Sequence, residues 1–279
     1  MALAISSVYF FAELIAGFLT NSLALLSDAG HMLSDIGALA LSLFAFHMAR
    51  RPATHQSTYG FHRFEILAAL FNGLTLWLIV GVIFTAAFNR FATPPVVESH
   101  GMMVVAVLGL VVNLTAAVIL HSGHRHNLNL RGAFLHVVSD AIGSVGAIVA
   151  GAIMLTTGWY LADPLISVFI GGLILFSSWS LVKESLSVLM QAVPKGIRLD
   201  DVRATIEAVD GVSAVHDLHV WAVTSDIYTL SAHAVVANGG DFHEVLNGIE
   251  DTLKERFNIE HTTIQLETES REDKEFKAF

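Results

Sequence analysis

The sequence predicts a membrane all-α bundle of six transmembrane helices followed by a small C-terminal α/β domain. Three observations predict it. Of 279 residues, 54% are hydrophobic and only 14% charged, and the mean hydropathy of +0.62 is too high for an ordinary soluble chain of this length. The apolar character dominates up to about Met190, after which charged residues return at soluble density. Before that point lie six runs long enough to cross a hydrocarbon core as helix, each bounded by charge, Pro or Gly.

The six runs cover residues 2–19, 22–47, 66–88, 102–120, 134–157 and 164–189. The first is not a secretory signal, because it lacks a basic n-region, carries Glu13 at its middle and leads straight into the second. Lys and Arg in short loops mark the cytoplasmic side. Arg50, Arg51 and Arg63 lie in the second loop and Arg125 and Arg131 in the fourth, whereas the third holds only Arg90 and the first and fifth none. Both termini are therefore expected in the cytoplasm.

In the soluble part, 200–208 reads as helix, 212–223 and 227–236 alternate like paired strands, 241–257 is an amphipathic helix and 262–267 a closing strand. The expected organisation is a six-helix transmembrane domain at 1–192, an α/β domain at 195–270 and an acidic tail at 271–279.

The formal net charge of -10 arises mainly in the second part, which argues against nucleic acid as a partner. With no cysteine in the chain, disulfides and thiolate metal sites are excluded. Fourteen histidines then need explaining.

The second apolar run contains Ser27-Asp28-Ala29-Gly30-His31-Met32-Leu33-Ser34-Asp35, and the fifth contains His136-Val137-Val138-Ser139-Asp140. Residues four apart on a helix share a face, so each run offers an imidazole beside a carboxylate. Ionisable groups cost several kcal/mol in the bilayer unless paired or solvated. Two matched doublets point to a common ion held by His31, Asp35, His136 and Asp140. Such a His2Asp2 set suits tetrahedral Zn2+, with Cd2+ and Co2+ as lookalikes, whereas Mg2+ and Ca2+ prefer all-oxygen shells. The competing reading is interhelical hydrogen bonding or a buried ion pair.

These motifs resemble the cation diffusion facilitator family, specifically its zinc-type branch. The resemblance covers nearly the whole chain. It rests on Ser22-Leu23-Ala24-Leu25-Leu26-Ser27-Asp28-Ala29-Gly30-His31, on Tyr59-Gly60-Phe61-His62-Arg63-Phe64-Glu65, on the second His-x-x-x-Asp and on Val215-His216-Asp217-Leu218-His219-Val220-Trp221. It implies a homodimeric metal/proton antiporter in a lipid bilayer, with a ferredoxin-like, metallochaperone-like cytoplasmic domain. It also implies His31, Asp35, His136 and Asp140 as the transport site, and His in place of Asp at position 31 leans toward zinc over cadmium. Neutral imidazole binds metal and imidazolium does not, so protons would alternate with the ion at this site.

Outside the bilayer, His55 and His62, like His47 and the cluster His121, His124 and His126, either gather metal or serve as solvated polar caps. His216 and His219, three apart on one strand, are expected on opposite faces, with His216 the better ligand. The resemblance implies a further metal at His216, His233, His243 and Glu267; Gln265 stands where some relatives have His, which puts a two-metal version in doubt. Glu13, Asp28 and Asn113 either line a metal or proton path or make helix–helix contacts. Gly143, Gly146, Ala150 and Gly151 suggest close helix packing.

Three other classes compete. A membrane metalloprotease lacks its helix, because His243-Glu244 is followed by Asn247 where the second His belongs. A membrane-anchored metal sensor would not need the matched intramembrane doublets. A divalent-metal channel also places polar groups in the membrane, but a tight four-ligand site argues for carrier-like turnover.

Overall fold

The computed structural model describes residues 2–121, 128–237 and 241–270, so His124, His126, Arg125 and the acidic tail from 271 lie outside the described residues. Six apolar helices come first: α1 (Ala2–Thr20), α2 (Leu23–Ala49), α3 (Phe64–Ala92), α4 (Ser99–His121), α5 (Leu128–Thr157) and α6 (Ala162–Leu189). Five of them, α2 to α6, contain stretches long and apolar enough to cross a membrane, and α1 adds a shorter apolar one. Their outward faces are apolar. Phe176 is 84% exposed and Leu78 68%, as expected of side chains that face lipid rather than water.

Helix ends run beyond the apolar runs because polar residues complete the turns. α3 starts at Phe64 with Glu65 in its first turn, and Glu98 accepts the Gly101 amide at 2.6 Å at the head of α4. α1 stops at Asn21, which takes the left-handed conformation (φ 55°) while Ser22 N–H returns to Gly17 O at 3.0 Å.

By compactness the chain divides into Met1–Leu43 with Ala69–Val182, and Phe44–Ala68 with Lys183–Phe279. The core of the first unit sets small side chains such as Ala106, Ala147 and Ala150 among larger ones such as Leu25, Met102 and Ile170. Gly146 faces Ile166 so closely that an added Cβ would stand 2.6 Å from it, so close packing governs this glycine. At one end of this unit, fully buried Asp163 of α6 accepts the Leu23 and Ala24 amides at 2.8 and 3.2 Å, the Ser22 hydroxyl at 2.7 Å and Arg90 at 3.1 Å. A carboxylate from α6 thus caps the N-terminus of α2, and Arg90 neutralises it.

The second unit carries α7 (Leu199–Glu207), β1 (Val212–Thr224), β2 (Ile227–Val236), α8 (Phe242–Phe257) and β3 (Ile259–Glu267). β1 and β2 pair antiparallel and β2 and β3 parallel, which requires the α8 crossover. α8 is capped by Asp241 and closed by left-handed Asn258. Val202, Ile206, Val245, Ile249 and Leu253 of the helices bury one face of the sheet, meeting Val215, Leu218, Val220, Leu230 and Ala232. The order helix, strand, strand, helix, strand is the one the sequence predicts.

One strand detail corrects the sequence reading. His216 pairs with His233 and His219 with Ser231, and the register shifts between them. Because Ser231 and His233 are two apart on β2 they share a face, so His216 and His219 share it too. Asp217, at φ 47°, is the extra residue that realigns the strand.

Candidate metal centre

α2 and α5 bring the two doublets together crosswise. His136 Nε2 lies 3.2 Å from Asp35 Oδ2 and 3.5 Å from Asp140 Oδ2. His31 Nε2 lies 3.5 Å from Asp140 Oδ1 and 3.6 Å from Asp35 Oδ2. The imidazole rings meet edge to face at 5.3 Å. Zinc bonds of about 2.05 Å give tetrahedral ligand–ligand edges of about 3.3 Å, which the distances from Asp35 Oδ2 to both imidazoles approach, while Asp140 meets the two histidines with different oxygens. His31, Asp35 and His136 offer atoms that all lie within 4.8 Å of one another, and Asp140 reaches both histidines.

Exposure is graded across the centre. His31 and Asp140 are 13% and 21% exposed, while Asp35 and His136 reach 37% and 44%. The centre is therefore more open toward the C-terminal half of α2 and closed toward its N-terminus. His31, Asp140 and Asp28 line a cavity of about 420 Å3 beside α6. Asp28 thus lines the cavity that reaches the centre; Asn113 is not among its lining residues.

A second cluster sits on the open face of the soluble sheet. His216 Nε2 and His233 Nδ1 each lie 3.3 Å from a Glu267 oxygen, with rings 5.2 Å apart. The register explains it: His216 faces His233, and Glu267 pairs with Val235, two residues further on that face. Gln265 donates its amide to Glu267 Oε1 at 2.6 Å, so where a further ligand would stand this chain has a residue that orients the carboxylate.

The other predicted ligands are not brought into either cluster. His243 is exposed in the first turn of α8. His55 is exposed, and His62 lines a separate cavity of about 370 Å3 with Arg51, Tyr59 and His261. His219 is exposed and contacts Asp217 at 2.8 Å.

Sequence reasoning missed Asp163. The signal was there: one Arg (Arg90) and one Asp (Asp163) border membrane runs in otherwise uncharged surroundings, and opposite charges so placed seek each other.

These features define an integral, multi-pass membrane protein with a metal-type centre between two of its helices. The chain belongs to the cation efflux family: the family's transmembrane domain matches residues 1–190 and its cytoplasmic domain residues 194–269. It is 47% identical over 267 residues to the cadmium, cobalt and zinc/H(+)-K(+) antiporter of Bacillus subtilis strain 168, covering 94% of this chain and 86% of the relative. It is 45% identical to the metal cation efflux system protein CzcD of Cupriavidus metallidurans, covering 96% and 85%. With the zinc transporter ZitB of Escherichia coli K12 identity is 40%, covering 95% and 85%. Among solved structures, the metal-bound C-terminal domain of the Cupriavidus metallidurans CzcD transporter is 39% identical and covers 25% of this chain and 99% of that one, at a TM-score of 0.25.

Proposed function

We propose that this chain exports zinc from the cytoplasm in exchange for protons, with cadmium and cobalt as alternative cargo. The observation that carries it is the crosswise His31–Asp140 and His136–Asp35 geometry, four N···O edges of 3.2–3.6 Å from two helices. The names of the relatives, a cadmium, cobalt and zinc antiporter in Bacillus subtilis and a zinc transporter in Escherichia coli, support the cargo. The reaction is transport, with no covalent step.

His31, Asp35, His136 and Asp140 are the cargo ligands in this reading. Both imidazole Nε2 atoms face the carboxylates, so a proton arriving on either nitrogen removes a metal lone pair and opens the site. The graded exposure fits loading from the end where Asp35 and His136 lie, which by the positive residues of the second and fourth loops is the cytoplasm. Release needs the other end, where Asp163 and Arg90 pin α2, to open in turn.

His216, His233 and Glu267 hold a second ion, on ligands whose spacing the strand ladder fixes. The chain works as a homodimer in a bacterial cytoplasmic membrane with both termini inside, and the functional boundary falls between 192 and 195; the family's cytoplasmic domain at 194–269 supports this.

The test is zinc flux into liposomes loaded with a zinc-sensitive dye, under an imposed pH gradient. Flux that follows the gradient and disappears in Asp35→Ala and Asp140→Ala is expected. Equal flux in all three proteins would remove this centre from the mechanism, and flux indifferent to the gradient would point to a channel.

A further inference from the structure

Ser177, Ser178 and Ser180 cluster on α6, and packing between helices accounts for Ser178 alone. It is buried, and its hydroxyl accepts the Trp77 indole N–H at 3.2 Å. Ser177 and Ser180 are exposed instead, on a helix whose outward side chains, such as Phe176 and Trp179, are large and apolar. Both line the cavity of about 420 Å3 that also reaches His31, His136 and Asp140.

Their level follows from the close approach of α5 to α6. A Cβ at Gly146 would stand 2.6 Å from Ile166, and one at Gly143 would stand 3.9 Å from Ile170. Three residues back on α5 thus correspond to four onward on α6, as in an antiparallel pair. Carried on, this pairing sets Asp140 beside Leu173 and Ile174, and His136 level with Ser177. Ser180 lies about 4.5 Å further along the axis, away from Asp163 and past the level of His136, the most open of the four ligands.

The chemistry of this wall is one-sided. Ser177 Oγ donates to Ile174 O at 3.0 Å and Ser180 Oγ to Ser177 O at 3.3 Å, so each hydroxyl hydrogen is turned back onto α6. What remains on each oxygen is acceptor capacity. Water around a divalent cation points its hydrogens outward, so a passage for a hydrated cation needs acceptors on its wall, whereas one for an anion needs donors. These two hydroxyls carry no charge, so they steady a water shell without trapping the ion.

We propose that Ser177 and Ser180 wall a water-filled entry through which a hydrated divalent cation reaches His136, their oxygens accepting from its water shell before imidazole and carboxylate replace those waters. This deepens the transport reading above and rests on it. Losing the hydroxyls makes loading harder and leaves the step after loading alone, so the effect falls on KM and not on kcat.

The experiment uses the full-length chain, whose lack of cysteine makes any introduced thiol unique. Ser177→Cys and Ser180→Cys are compared with Leu78→Cys. Leu78 is 68% exposed on α3 and, like Ser177, lies about 20 Å from the helix end on the same side, but it faces lipid. A positively charged methanethiosulfonate reagent is added at the cytoplasmic face of membrane vesicles; it reacts with thiolate, which forms in water and not in hydrocarbon. Both serine variants should react at least about tenfold faster than Leu78→Cys, and zinc should slow Ser177→Cys. Equal rates for all three, or rates indifferent to zinc, overturn the entry. In flux assays, Ser177→Ala combined with Ser180→Ala should raise KM for zinc about threefold or more at unchanged kcat, and threonine at both positions, which keeps the hydroxyls, should not. Unchanged KM, or a fall in kcat alone, overturns the role of the hydroxyls. Undiminished flux in Asp35→Ala would sink the transport-site reading instead, so the two failures are told apart.

Discussion

The membrane cluster and the soluble cluster use nearly the same donors, two imidazoles with carboxylate, on opposite kinds of scaffold. His31, Asp35, His136 and Asp140 stand on two helices that meet only through side chains. His216, His233 and Glu267 stand on neighbouring strands locked in one hydrogen-bonded ladder. Helices can slide or rock against each other with little loss, whereas separating strands breaks a row of backbone hydrogen bonds at once. Exposure does not follow the same division: His31 is 13% exposed and His233 24%. In the reading proposed above, scaffold, more than ligand identity, separates a site that passes an ion on from one that keeps it.

The largest expected effect comes from removing one carboxylate from each cluster. Asp35→Asn should lower zinc flux by about a hundredfold or more, whereas Glu267→Gln should leave it within about threefold and remove one tightly held zinc per chain. Flux in liposomes and metal content after gel filtration check both halves. Equal losses of flux would erase the distinction between a passing and a keeping site.

Breaking the pin at the closed end should come next. Asp163 is fully buried with the α2 N-terminus and the part-buried Arg90 as partners, so Asp163→Asn removes the charge that both face and should cost about 2 kcal/mol. Thermal unfolding in detergent should show a lower midpoint for the membrane part, with zinc bound by the soluble cluster unchanged.

Acid sharpens the comparison in one direction only. Metal needs neutral imidazole, so zinc affinity at both clusters falls as pH falls, by about tenfold per pH unit for each proton displaced. Zinc titrations at two pH values, with Glu267→Gln or Asp35→Asn isolating each cluster, measure the slope. A flat slope at the membrane cluster would break the antiport mechanism.

The smallest effect is a gain. Gln265→His puts an imidazole beside Glu267 on the face shared with His233, and should tighten zinc binding by the soluble cluster by about tenfold with flux unchanged. Competition with a zinc-chelating dye checks it.

Much was legible in the sequence because local rules govern it. The six apolar helices follow from run length, and the two doublets from a spacing of four on helices that must bury their charges. The α/β order followed from periodicity, but element ends were missed by six residues at the start of α5, four at the end of α3 and three at the starts of α4 and β3, where polar residues continue the element beyond its apolar run. His216 and His219 were misread because a strand's period of two assumes no bulge, and Asp217 inserts one. No local rule reveals such a residue in advance.

By itself, then, the sequence determined which residues are apolar enough to be helices in lipid, which faces carry His and Asp, and which family the chain resembles. Only tertiary structure decided that His31 meets Asp140 and His136 meets Asp35. It alone joined Asp163 to an α2 end that lies 140 residues away in sequence. The reason is physical. Periodicity fixes the direction of a side chain relative to its own element, while packing of elements distant in the chain fixes what that side chain finds there.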